Sequence, residues 1–150
     1  MAGALHVEIT VESRVELANL VHAASDEVCR LVGLDEDSMF NISLALREAT
    51  VNAMKHGNGL IASRPVVVTF DARRGRLEVQ VRDLGNGFDF ARHVDPRLPQ
   101  NLSKTSGRGL FLMKSFMDAV RFSRAPGGGT IVALIKKLPR RGGTRHGIHA

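Results

Sequence analysis

Asp35-Glu36-Asp37-Ser38-Met39-Phe40-Asn41-Ile42-Ser43-Leu44-Ala45-Leu46-Arg47-Glu48-Ala49-Thr50-Val51-Asn52-Ala53-Met54-Lys55-His56-Gly57 is the stretch on which the fold turns. Ile42, Leu44, Ala45, Leu46, Ala49, Ala53 and Met54 recur at helical spacing, and acids crowd the first turn, where they favour the helix dipole. Gly57-Asn58-Gly59 ends the run, so the spacing predicts a helix to His56 with one buried face. Glu48 and Asn52 are four apart and share a side of it, next to the apolar stripe. In such a pair Asn52 offers a neutral oxygen to a magnesium ion carried by a triphosphate, and Glu48 accepts a proton from an attacking hydroxyl or water. The plainer alternative is a solvated polar face. Lys55 and His56 suit the C-terminal end of the helix dipole.

Upstream, Leu5-His-Val-Glu-Ile-Thr-Val alternates with period two and reads as a strand; Ser13 offers a helix cap. A helix follows from Arg14 to about Leu31, carried by Val15, Leu17, Ala18, Val21, Ala24, Val28 and Leu31 and stopped by Gly33. Downstream, Val66-Val-Val-Thr-Phe and Leu77-Glu-Val-Gln-Val flank the basic turn Arg73-Arg-Gly-Arg and read as a hairpin. Residues 83–106 lack a regular pattern and are long for a connection inside a compact domain, a property of functional loops. A helix over Gly107–Asp118 shows apolar Leu110, Phe111, Met113, Phe116 and Met117, and two strands then surround Pro126-Gly-Gly-Gly. The order β-α-α-β-β-loop-α-β-β predicts an α+β two-layer sandwich with a mixed, mostly antiparallel sheet and helices on one face.

Two further segments carry polar chemistry. Asp83-Leu-Gly85-Asn-Gly87 follows a strand; its carboxylate can accept from the exocyclic amine of adenine, where guanine presents a carbonyl, and its glycines let backbone approach a ligand. An ordinary Asp-Gly turn is the alternative. Ser106-Gly107-Arg108-Gly109-Leu110 sits at the predicted mouth of a helix, where unpaired amides favour phosphate and Arg108 adds charge. It matches neither a Walker P-loop nor a dinucleotide fingerprint.

The 150 residues suffice for one continuous core, and 43% hydrophobic with 24% charged residues is an ordinary globular balance. No window approaches a membrane span and the start lacks the pattern of a secretory signal, so a cytoplasmic protein with no membrane partner is expected. A lone cysteine, Cys29, cannot form an internal disulfide and is expected reduced and buried. The net charge of +6 lies mostly in the end of the chain: Lys136, Lys137, Arg140, Arg141 and Arg145 face no acids, leaving sixteen basic against fifteen acidic residues before them. A nearly neutral body with seven Phe and no Tyr or Trp argues against direct nucleic-acid binding. Residues 1–138 are read as one domain and 139–150 as a flexible basic tail.

Taken together, Glu48-Ala-Thr-Val-Asn52-Ala-Met-Lys-His56-Gly57, Asp83-Leu-Gly85-Asn-Gly87 and Gly107-Arg-Gly109-Leu110 resemble the N, G1 and G2 boxes of the GHKL ATPase superfamily, and Gly129-Thr130 resembles its closing Gly-Thr element. Within it, Ser106-Gly-Arg-Gly-Leu-Phe-Leu-Met-Lys-Ser-Phe-Met-Asp is similar to the anti-sigma factor serine/threonine kinases of bacterial partner-switching systems, over about Val7 to Lys137. The resemblance implies a Bergerat-fold (HATPase) site for ATP and magnesium. Glu48 matches the catalytic base, Asn52 the magnesium ligand, Asp83 the adenine contact and Gly85, Gly87, Gly107 and Gly109 the nucleotide-binding glycines. Arg108, Leu110 and Thr130 belong to the same cofactor-binding set, and Phe88 to Thr105 would form the ATP lid. It further implies a STAS-type antagonist as phosphoacceptor, a sigma factor as second partner and a homodimer. The alternative function is an ATP-gated module that sequesters its partner with little or no phosphoryl transfer. A sensor histidine kinase would need a phosphoacceptor hairpin before Glu48, where only one helix fits, and His22 on that helix reads as a surface or packing residue. Arg14 and Glu16, exposed by the periodicity of the first helix, form a candidate docking face.

Overall fold

The computed structural model describes residues 4–85 and 105–140, with the side chains of residues 105–108 left aside. Five strands form one sheet in the order β1-β2-β3-β5-β4: β1 Leu5–Val11, β2 Val66–Arg73, β3 Arg76–Arg82, β4 Ala119–Arg124 and β5 Thr130–Lys137. Every pairing among them is antiparallel, so the expected mixed component is absent from the described residues. The α+β class stands. Chain order explains the direction: β1 returns to β2 through two helices, which reverses it, and the other neighbours are hairpins or a hairpin plus one helix.

Three helices cover one face of the sheet: α1 Ala18–Leu31, α2 Glu36–Asn52 and α3 Thr105–Phe116. Alternation in β2 and β3 turns Val66, Val68, Phe70, Leu77, Val79 and Val81 inward, where they meet Ile42, Leu46 and Met54 from the α2 run and Leu134 from β5. A wholly buried Phe70 side chain contributes about 3 kcal/mol of transfer free energy to this core. Helix α2 is the middle helix, in contact with α1, α3 and strands β3 and β5. Asp35 caps it by accepting from the Ser38 amide at 2.7 Å.

Three expectations about helix ends change. Ser13 does not cap α1; its buried hydroxyl donates to the Arg64 carbonyl at 2.5 Å, and a 3-10 turn over Val15–Leu17 opens the helix instead. The α2 run ends in a π turn over Ala53–Gly57, closed by the Asn58 amide donating to the Ala53 carbonyl at 2.8 Å. Helix α3 starts two residues before Gly107, and at its other end Lys136 Nζ donates to the Phe116 carbonyl at 3.1 Å. Phe111 and Leu31, placed in apolar faces by spacing, are exposed. Cys29 is buried, and burial pushes its thiol up to about 11, which makes it inert. Among the described residues no helix is long and apolar enough to cross a membrane. Gly87, the expected lid from Phe88 up to Lys104 and tail residues 141–150 lie outside the described residues.

Candidate functional site

Glu48 and Asn52 project from α2 toward the start of α3. Gly109 is what permits the approach: a Cβ there would collide with Glu48 Oε1, lie 3.1 Å from Glu48 Cδ and 3.5 Å from Asn52 Nδ2. Both side chains are half-buried, on a helix that contacts α3. Thr105 to Arg108 form the first turn of α3, whose amides have no intrahelical acceptors, so Gly107 keeps an anion-attracting amide although it is not the first helical residue. Leu110 is buried and serves the core.

The second half of the site is built at the ends of β3 and β5. Asp83 follows β3 and bonds to Thr130 through the backbone, its amide donating to the Thr130 carbonyl at 3.0 Å. Its side-chain Oδ1 accepts from the Gly85 amide at 3.0 Å and the Thr130 amide at 3.2 Å, which leaves Oδ2 without a donor among the described residues. Only 6% of Asp83 is exposed, and burial raises its carboxyl above the ordinary value of 3.8, against the two backbone amides that lower it.

Glycines make room for this carboxylate. A Cβ at Gly57 would collide with Asp83 Cγ and Oδ2, one at Gly85 with the Gly57 carbonyl, and one at Gly129 with the Asp83 carbonyl. Gly129 also takes φ +92, a conformation that favours glycine. Gly57, Asp83, Gly85, Gly129 and Thr130 are thus one close-packed assembly, drawn from the π turn after α2, the end of β3 and the start of β5.

A hard divalent cation takes oxygen ligands, and the Asn52 carboxamide beside the Glu48 carboxylate is a donor set of that kind. Among the described residues no group of three His, Cys, Asp or Glu side chains is placed to hold a metal ion. Sequence reasoning missed Asn58. It is fully buried and links this assembly to the β1–α1 junction, yet between two glycines it reads as a turn residue.

Residues 11–136 match the family described as "Histidine kinase-like ATPase domain". The chain is 30% identical over 139 residues to the serine-protein kinase RsbW of Bacillus subtilis, covering 89% of this chain and 86% of that protein. It is 25% identical over 128 residues to the serine-protein kinase RsbW of Staphylococcus aureus, covering 81% of this chain and 80% of that one. Among solved structures it resembles the RsbU and RsbW domains of Rv1364c from Mycobacterium tuberculosis, with a TM-score of 0.64 and 23% identity. That match covers 93% of this chain and 33% of the other, and shows the shared fold. A buried aspartate in a glycine cradle, a Glu-Asn pair one helical turn apart and this similarity along the chain agree: the protein belongs to the histidine kinase-like ATPase domain family, in its RsbW serine-protein kinase branch.

Proposed function

We propose that this chain is an ATP-dependent serine/threonine protein kinase acting as an anti-sigma regulatory factor, which moves the γ-phosphoryl group of ATP to a hydroxyl of a STAS-type antagonist protein. The observation that carries this reading is the pairing of the two half-sites: Asp83, buried among Gly57, Gly85 and Gly129, and Glu48 with Asn52, packed on Gly109. The names of the curated relatives support the reaction class.

In this reading Asp83 Oδ2 accepts from the adenine amine, while Oδ1 stays committed to the Gly85 and Thr130 amides, so the carboxylate is pre-oriented. The amides opening α3 hold phosphate oxygens, with Gly107 and Arg108 in that set, and Gly87 is counted with Gly85 among the nucleotide-binding glycines beside Asp83. Asn52 is the chain's ligand for a magnesium ion, which when bound neutralises charge on the triphosphate. The acceptor hydroxyl oxygen forms its bond to the γ-phosphorus as the bond from that phosphorus to the β,γ-bridging oxygen breaks. ADP departs, and Glu48 takes the hydroxyl proton.

The antagonist, a sigma factor as second partner, a homodimer and a cytoplasmic setting all belong to this proposal. Arg14, whose guanidinium reaches Glu16 at 3.0 Å and Glu12 at 3.5 Å, is exposed at the start of the first helical segment and is the candidate docking side chain. Thermal unfolding with Mg-ATP and with Mg-GTP tests the site, since a ligand at a hundredfold over its Kd stabilises by about 2.7 kcal/mol. ATP should stabilise the protein, GTP should not, and Asp83→Ala should abolish the response. Glu48→Gln should keep the ATP shift and lower transfer to an added antagonist by about a hundredfold or more; full transfer by that variant would sink the assignment of the base.

A further inference from the structure

We propose that Asn58 is a positioning residue that holds the adenine-reading Asp83 in register with the end of α2, and through it sets preference for a base bearing an exocyclic amine. This rests on the ATP reading above.

Asn58 is fully buried, and every polar atom of its carboxamide is engaged. The two Nδ2 hydrogens are shared among three acceptors, Ser13 Oγ at 2.9 Å, the Arg64 carbonyl at 2.8 Å and the Pro65 carbonyl at 3.1 Å. Oδ1 accepts from the Leu84 amide at 2.8 Å. The orientation is fixed by its partners, because carbonyls only accept and a backbone amide only donates. A carboxamide taken wholly out of water is costly unless bonded in this way.

Anchoring the loop to Arg64 and Pro65 explains the Nδ2 bonds but not the Oδ1 bond. Leu84 stands between Asp83, whose carboxylate would read the base, and Gly85, whose amide holds that carboxylate. Pinning the Leu84 amide therefore fixes the peptide on which the carboxylate is carried. Asn58 also directly follows Gly57, whose Cα abuts the Asp83 carboxylate. One residue thus spaces α2, where Glu48 and Asn52 sit, from the tip of β3.

The test compares binding of Mg-ATP with Mg-purine riboside triphosphate, which lacks the exocyclic amine, by calorimetry well below each melting temperature. Wild type should prefer ATP. Asn58→Ala should weaken ATP by about tenfold and the amine-free analogue by less than about threefold, erasing the preference, as expected when one buried hydrogen bond no longer orients the reader. Should Asn58→Ala not fold, an amide-to-ester replacement at the Leu84 backbone nitrogen removes that donor without a proline's constraint on Asp83, and should erase the preference with the loop anchored. A variant that weakens both nucleotides equally, or neither, would overturn the proposal and leave Asn58 as a loop anchor only. Wild type that binds no ATP would overturn the ATP reading itself, and this proposal with it.

Discussion

Gly109 of α3 and Glu48 of α2 meet so closely that glycine is the only residue leaving the carboxylate where it is, since a Cβ at 109 would occupy the place of Glu48 Oε1. What a side chain there would displace is the far end of a flexible glutamate, not backbone. Gly109→Ala should therefore leave the fold intact, the more so because alanine favours a helix over glycine by about 1 kcal/mol. Phosphoryl transfer should nevertheless fall by about a hundredfold, the scale of a misplaced general base. Melting temperature and single-turnover transfer, measured on one preparation, check the pairing of unchanged stability with lost chemistry. Lost stability with intact transfer would contradict the geometry.

The β2–β3 hairpin turns through Arg74 and Gly75, both at positive φ, +53 and +76. Two such residues make the turn whose twist matches the flanking strands, and Asn-Gly suits it best. Arg74→Asn should raise stability by about 0.5–1 kcal/mol by relieving a conformation that arginine resists. Urea denaturation reads this directly, and nucleotide binding should not change, because this turn is at the opposite end of β3 from Asp83.

His6 on β1 faces Asp71 on the neighbouring strand, Nδ1 to Oδ1 at 2.5 Å, and its Nε2 lies 4.0 Å from Glu8 Oε1. The hydrogen bond to Asp71, then its charge, raises the imidazole above 6.5. Whatever the protonated pair contributes is present below that ordinary value and is lost as pH rises through the raised one. NMR titration of His6 should show the elevated midpoint in the wild type and its return toward 6.5 in Asp71→Asn. Both side chains are water-accessible, so melting temperature should scarcely move.

How much of this was legible beforehand divides along physical lines. The strands of the sheet and the α2 run announce themselves through local periodicity, because burial of one face dictates spacing along the chain. Glu48, Asn52 and Asp83 stand out as polar groups where the pattern wants apolar ones or a turn; the structure packs Glu48 and Asn52 on Gly109 and Asp83 against Gly57, the contacts from which their proposed roles are argued. Ser13 and Asn58 do not stand out, since hydroxyl and carboxamide are common at helix starts and turns; their partners, Arg64 and Leu84, are brought near only by the completed sheet. Phe111 misled for the opposite reason: spacing assigns it to an apolar face, but three helices over one sheet leave part of α3 uncovered. The π turn after Asn52 has no sequence signature at all, yet it is what carries Gly57 onto Asp83.

Burial of the Asp83 carboxyl makes stability depend on pH. Its pKa is raised by burial, so the folded state binds a proton more tightly than the unfolded chain does. The sign follows: the folded protein gains most below the ordinary carboxylate value of 3.8, and that gain is lost as pH rises through the elevated value, leaving a penalty at neutral pH. Asp83→Asn keeps an oxygen for the Gly85 and Thr130 amides while removing the charge. Urea unfolding from about pH 4 to 8 should find the variant at least as stable as wild type at neutral pH, with the advantage shrinking toward the acid end. Mg-ATP affinity should drop, because with its one oxygen kept on the Gly85 and Thr130 amides the variant turns an Nδ2 donor toward the adenine amine, itself a donor. A variant less stable than wild type at neutral pH would mean that the buried charge is compensated by contacts beyond the two amides.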